Sequence, residues 1–121
     1  MESRLILITG PKNSGKTSKG NEISLNFIDD EIVKKTQPKE YVSSILDYYK
    51  SIVTKKTKLI IFDDVNDEVF LFNLMLLYKY KFLTFENKKL SIVIICEPNI
   101  NNEKWMDIAV AHNIESMNYN L

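Results

Sequence analysis

Gly10-Pro11-Lys12-Asn13-Ser14-Gly15-Lys16-Thr17 decides the fold, since it satisfies the pattern G-x-x-x-x-G-K-[ST] at each fixed position. An apolar run, Leu5-Ile6-Leu7-Ile8, stands directly before it and reads as a buried strand. Glycine at both ends of the loop lets the backbone turn back, so that successive N–H groups converge on anionic oxygens. Lys16 then supplies a mobile positive charge for the outer phosphates. The Thr17 hydroxyl offers a hard oxygen to Mg²⁺, a cation that shares its ligands between protein and phosphate. A glycine-rich surface turn could match by chance, but the strand placed directly before the loop argues against it. Gly10, Pro11, Lys12, Asn13, Ser14, Gly15, Lys16, Thr17 and Ser18 are therefore the candidate phosphate-binding residues.

Outward from this loop, strand and helix patterns alternate. Strands are expected over Arg4–Thr9, Ile23–Asp29, Lys58–Asp63, Leu90–Cys96 and Ile114–Tyr119. Ile23, Leu25 and Phe27 alternate with polar residues, as in a strand with one buried face near a sheet edge, while Lys58–Asp63 and Leu90–Cys96 are continuous apolar runs. A helix is expected from Pro38, in its first turn, to about Lys55, with Val42, Ile45, Leu46, Tyr49, Ile52 and Val53 on one face. Asn66 or Asp67 can cap a second helix running into the low 80s, and Asn101 or Asn102 a third whose Trp105, Ile108 and Ala109 face the sheet. The fold class implied is α/β, a three-layer sandwich around a mostly parallel five-stranded sheet, in one domain spanning 1–121.

The helix after the loop raises a separate question. Gly20 follows Ser18-Lys19, and an alternating pattern begins at Ile23. Either the helix is cut to about one turn or it continues through a kink at Gly20. We favour the shortened first helix, which would sum fewer peptide dipoles at the phosphates.

Ligands of parallel sheets bind beyond the carboxyl ends of the strands. Three polar strand ends gather there: the loop, Asp63-Asp64 closing Leu59-Ile60-Ile61-Phe62, and Glu97-Pro98-Asn99 after Cys96. Asp63 is the candidate second Mg²⁺ ligand opposite Thr17.

On GPKNSGKT (10–17), LIIFDD (59–64) and CEPN (96–99), nearly the whole chain resembles the P-loop NTPases. The likeness is to the group in which an additional strand separates the Walker B strand from the P-loop strand, most of all archaeal-type and signalling ATPase cores related to the AAA+ class. The resemblance implies a Walker A loop, a Walker B aspartate at Asp63, and ATP with Mg²⁺ as ligands. It implies catalytic roles for Lys16, for Asp64 and for a polar residue ending the fourth strand. Many hydrolysing relatives carry a glutamate at the place of Asp64, so its shorter reach to the attacking water is a departure; Asp67 or Glu68 could substitute, though both suit the next helix's first turn. Asn99 suits the γ-phosphate-sensing place better than Glu97, whose charge would oppose phosphate; a turn role after Pro98 is the alternative.

Composition narrows the functions further. Hydrophobic residues make up 45% and charged residues 26%, the balance of a globular protein. Sixteen basic and sixteen acidic residues leave no basic field that would by itself argue for nucleic acid. A single cysteine, Cys96, excludes an internal disulfide. No leader is recognisable, and the densest apolar stretch, Val69–Phe85, is broken by Asn73, Lys79, Lys81 and Thr84, so a soluble, cytoplasmic protein is expected. His112, the single histidine, reads as a helix-end or core residue.

GTP is disfavoured. No Asp-x-x-Gly follows the third strand, and Asn87-Lys88-Lys89-Leu90 lacks the aspartate of the guanine-reading pattern. Fifteen of the sixteen cations are lysine, and Arg4, the one arginine, stands ahead of the first strand. An arginine-bearing kinase lid cannot be drawn, and no arginine finger, worth ~10³–10⁵ in rate, is offered except by Arg4 of a neighbouring copy. Slow or partner-stimulated hydrolysis is therefore expected. The competing classes are a nucleotide-dependent protein-binding module and a degenerate structural domain. Val69, Phe70, Leu71, Phe72, Leu74, Met75, Leu76 and Leu77 are too many for one sheet face, so the Val69–Phe85 helix is a candidate surface for a homo-oligomer or partner, unless the last helix covers it. Tyr78, Lys79, Tyr80, Lys81 and Phe82 mix cations with aromatics as single-strand nucleic-acid surfaces do, or as a solvated helix edge does.

Overall fold

The structure, a computed structural model, describes residues 4–38, 44–79, 90–97 and 102–118. Strand β1 (Leu5–Thr9) leads through the loop into helix α1 (Lys16–Ser24). A 3-10 turn at Asp29–Glu31 precedes β2 (Ile32–Thr36), which is followed by α2 (Ile45–Ile52), β3 (Leu59–Val65) and α3 (Glu68–Lys79). The chain closes with β4 (Ser91–Cys96), α4 (Asn102–Ala111) and β5 (Glu115–Asn118). All strand pairings are parallel, in the order β2-β3-β4-β1-β5.

Strand alternation builds a core on each face of this sheet. Leu5, Leu7, Ile60, Phe62, Ile92 and Ile94 pack against Tyr49 of α2, Phe70, Leu71, Leu74 and Met75 of α3, and Trp105 and Ala109 of α4. Ile6, Ile8, Leu59, Ile61, Val93 and Ile95 form the other face, covered by Ile23, Phe27 and Ile32. Because β1, β3 and β4 are buried on both faces, they read as unbroken apolar runs.

Two expectations about elements are corrected. The segment from Ile23 is not a strand, and α1 is not cut to one turn: it runs unbroken from Lys16 to Ser24. Gly20 is a point of close approach, where an added Cβ would stand 2.8 Å from Ile95 Cδ1. The intrinsic helix penalty of glycine, about 1 kcal/mol, is overridden by the packing that its missing side chain permits. Ile23 and Phe27, four residues apart, both turn to the sheet, whereas Leu25, which the strand pattern would have buried beside them, is 83% exposed. The edge strand is instead Ile32–Thr36, whose Lys34 and Lys35 are exposed as suits a guarded sheet edge.

Helix α2 likewise does not open at Pro38, which lies outside it. Ser44 caps it, its Oγ accepting from the Asp47 N–H at 3.2 Å. Val42 falls in 39–43, outside the described residues. Asp67 caps α3, its Oδ1 accepting from Val69 N–H at 2.8 Å and Phe70 N–H at 3.3 Å. Phe70, Leu71, Leu74 and Met75 of the apolar crowd on α3 are spent on the core, while Val69 is 68% and Phe72 40% exposed. Tyr80, Lys81, Phe82 and the rest of 80–89 lie outside the described residues. Among the described residues no helix is long and apolar enough to cross a membrane.

At the N-terminal rim, Arg4 grips Glu115 with both arms of its guanidinium, Nε to Oε1 at 2.7 Å and Nη2 to Oε2 at 2.6 Å, tying β1 to the edge strand β5. The hydrogen bond from Arg4 holds the Glu115 carboxyl below its ordinary value of 4.5. A carboxylate lowered in the folded state adds stability above that ordinary value and loses it as pH falls through the folded one. Both side chains are nearly half exposed, so the contribution is under about 1 kcal/mol. Urea midpoints of wild type and Glu115→Gln should differ slightly at pH 7, and the gap should narrow as pH falls below 4.5; a gap that does not change with pH would assign the difference to packing.

Candidate functional site

The loop after β1 is shaped by backbone conformations that its sequence permits. Gly10 has φ 151°, Asn13 φ 61° and Gly15 φ 97°, so left-handed residues recur along the turn. Asparagine tolerates that region better than most side chains, and glycine enters it freely. Gly15 forms the N-cap of α1. The N–H groups of residues 12–18 lie in the turn and at the mouth of α1. They comprise the turn and the first helical turn, the donors an α-helix cannot satisfy internally. Oriented amides in such an arrangement make a concavity suited to anions.

Lys16 is only 8% exposed. Its ammonium donates to the Gly10 carbonyl in a short contact and to the Pro11 carbonyl at 3.3 Å, so it folds across the loop that carries it. The Ser14 hydroxyl oxygen is buried with no partner among the described residues. An unmatched buried hydroxyl costs about 1–3 kcal/mol, and an anionic oxygen seated in the loop is one group that could satisfy it.

Across the cleft, β3 delivers the acids. Thr17 Oγ1 donates to Asp63 Oδ2 at 3.5 Å. The 3.5 Å separation exceeds the about 2.9 Å between adjacent ligands on an octahedron with Mg–O bonds of 2.0–2.1 Å, so the two oxygens must close by about 0.6 Å to share one ion. Both are hard oxygen donors and a side-chain rotation covers that distance, so the residue types present fit Mg²⁺. The second Asp63 oxygen, Oδ1, accepts from the Asp64 N–H at 2.8 Å. That bond depends on a local irregularity: the β3–β4 register shifts between Phe62 and Val65, and Asp64 takes φ 56°. Asp64 itself is exposed.

Loop and acids line one cleft of about 670 Å³, together with Ile95, Cys96 and Glu97 from the end of β4. That is within the range of small-molecule sites. Glu97 is held there by its own N–H, which donates to the Val65 carbonyl at 2.8 Å. Burial pushes the Cys96 thiol up to about 12, against the opposing pull of Lys16. It is protonated at neutral pH and packs as a small hydrophobe.

Of the candidate residues, Lys12–Ser18, Asp63 and Asp64 share this cleft, with Gly10 and Pro11 immediately before it. Asn99 lies in 98–101, outside the described residues. Asp67 is occupied as the α3 cap, and Glu68 Oε1 accepts from Trp105 Nε1 at 3.0 Å. Neither lines the cleft with Asp64. Sequence reasoning missed Gln37, whose side chain bonds the turn after the acids. A single glutamine beyond a weakly patterned edge strand gives no periodic or motif signal. Neither a scan against protein-family models nor a search of curated proteins finds a match to this chain.

Proposed function

We propose that the chain is a P-loop NTPase domain of the additional-strand, AAA+-related kind, binding ATP with Mg²⁺ and hydrolysing its β–γ phosphoanhydride slowly or on stimulation by a partner. The observation that carries this reading is the approach of Thr17 Oγ1 to Asp63 Oδ2 at 3.5 Å, beside the Lys16 loop. The sheet order supports it, since β4 separates β3 from β1. Loop amides and Lys16 would hold the phosphates, and Thr17 and Asp63 the metal. A bound Mg²⁺ would neutralise charge on the phosphate oxygens. Asp64, exposed at the rim of the cleft, would orient water, and Asn99 would be the polar contact from the end of β4.

Arg4 favours the slow end of this range and lends weight to a second reading, a nucleotide-dependent binding module that does not turn over. It stands before β1, whereas the loop follows that strand, and its guanidinium is engaged by Glu115. Equilibrium titration with a fluorescent ATP analogue, with and without Mg²⁺, tests the proposal when paired with phosphate release. Wild type should bind more tightly with Mg²⁺, Asp63→Ala should lose that gain, and release should stay below ~1 s⁻¹, under the median enzyme rate of ~10 s⁻¹. Binding without release would select the non-hydrolysing module, and no binding would leave only a scaffold.

A further inference from the structure

We propose that Gln37 is a positioning residue for the acidic turn, acting through the backbone to fix the Asp63 carboxylate toward Thr17; the inference rests on the function proposed above. Gln37 directly follows Thr36, which is the register partner of Asp63 across β2 and β3. Its Oε1 accepts from the Asn66 N–H at 2.9 Å and from the Asp67 N–H at 2.8 Å. Its Nε2 donates to Asn66 Oδ1 at 2.8 Å. One side chain just past the edge strand thereby satisfies successive amides at the mouth of α3.

The placement of these bonds gives them their consequence. Asp63 is fixed by pairing with Thr36, and Asn66 and Asp67 by Gln37. Only Asp64 and Val65 lie between, and Val65 is itself held by its pairing with Cys96 and by the Glu97 N–H. The bulge is pinned at both ends, which keeps Asp64 in the left-handed region with its N–H on Asp63 Oδ1. A left-handed non-glycine residue persists only where its surroundings over-determine it. Removing the clamp leaves Val65 as the one restraint at that end, so Asp64 is held less firmly, its N–H leaves Asp63 Oδ1 part of the time, and the Asp63 carboxylate turns more freely. Loss then falls on the metal-assisted part of binding and spares the part supplied by the loop amides and Lys16.

The test compares Gln37→Ala and Gln37→Glu with wild type. Glutamate keeps a side-chain oxygen that can accept both amides, and a turned-over Asn66 amide can donate its Nδ2 to the other carboxylate oxygen. Affinity for the fluorescent ATP analogue is measured in Mg²⁺ and in EDTA, beside hydrogen exchange at the Asn66 and Asp67 amides. Gln37→Ala should keep its EDTA affinity, lose about tenfold of the Mg²⁺ gain, as outer-sphere partners of metal ligands typically do, and exchange those amides faster. Gln37→Glu should restore both. Equal loss in Mg²⁺ and EDTA, an unchanged Mg²⁺ gain or unchanged exchange in Gln37→Ala, or failure of glutamate to rescue, would overturn the role of Gln37. A wild-type chain that shows no Mg²⁺-dependent binding would overturn the functional reading itself, and this inference with it.

Discussion

Lys16→Ala should weaken binding of the Mg²⁺–ATP analogue by roughly two to three orders of magnitude while leaving the fold intact. Hydrogen bonds to a charged partner contribute about 1.5–3 kcal/mol, and each 1.4 kcal/mol is tenfold in affinity. Two phosphate contacts from one ammonium would give about 3–6 kcal/mol before correction. The correction is specific to this loop: without ligand the ammonium already donates to the Gly10 and Pro11 carbonyls, so part of that energy is exchanged rather than gained. The lower half of the range is therefore expected. Stability should change less than binding, because deleting a buried charge relieves its desolvation as it removes those two contacts. Titration of the variant in Mg²⁺, with circular dichroism to confirm folding, checks the prediction. A loss below tenfold would mean that no triphosphate is gripped by this loop.

The largest effect on stability should come from Trp105→Ala, at about 3–5 kcal/mol, a substantial share of the 5–15 kcal/mol typical of a whole domain. Trp105 is 2% exposed within the core on the α2–α3–α4 face of the sheet. Its ring lies 6.2 Å from that of Phe72 and carries Lys104 Nζ 5.3 Å from its centroid. Its indole N–H donates to Glu68 Oε1 at 3.0 Å, joining α4 to the first turn of α3. Truncation therefore opens a large cavity and breaks an inter-helix hydrogen bond together. Trp105→Phe separates the two, since it fills most of the volume and removes only the donor; its cost should be about 1–2 kcal/mol. Urea midpoints followed by circular dichroism give both numbers. Equal costs for Ala and Phe would show that the hydrogen bond, rather than the ring volume, dominates.

What could be read ahead of the structure was whatever is dictated within a few residues of itself. The loop was legible because its glycines, Lys16 and Thr17 are constrained by neighbours in sequence. β3 and β4 were legible because double burial leaves an unbroken apolar run with polar residues at its end. Helix α1 was misread because the evidence at Gly20 is long-range: the Ile95 side chain that makes a glycine useful there lies on β4. Pro38 suited a helix start by local rules, but the backbone is still leaving β2 at that point and Ser44 supplies the cap. Gln37 and the Glu68–Trp105 pair are polar contacts spanning about thirty residues or more, and no period or motif announces such partners.

The contact between position 20 and β4 has a mechanical consequence. With the Ile95 methyl in the space a side chain would need, α1 and β4 lie too close to slide or roll independently. The loop after β1 and the strand that delivers Glu97 therefore travel as one block.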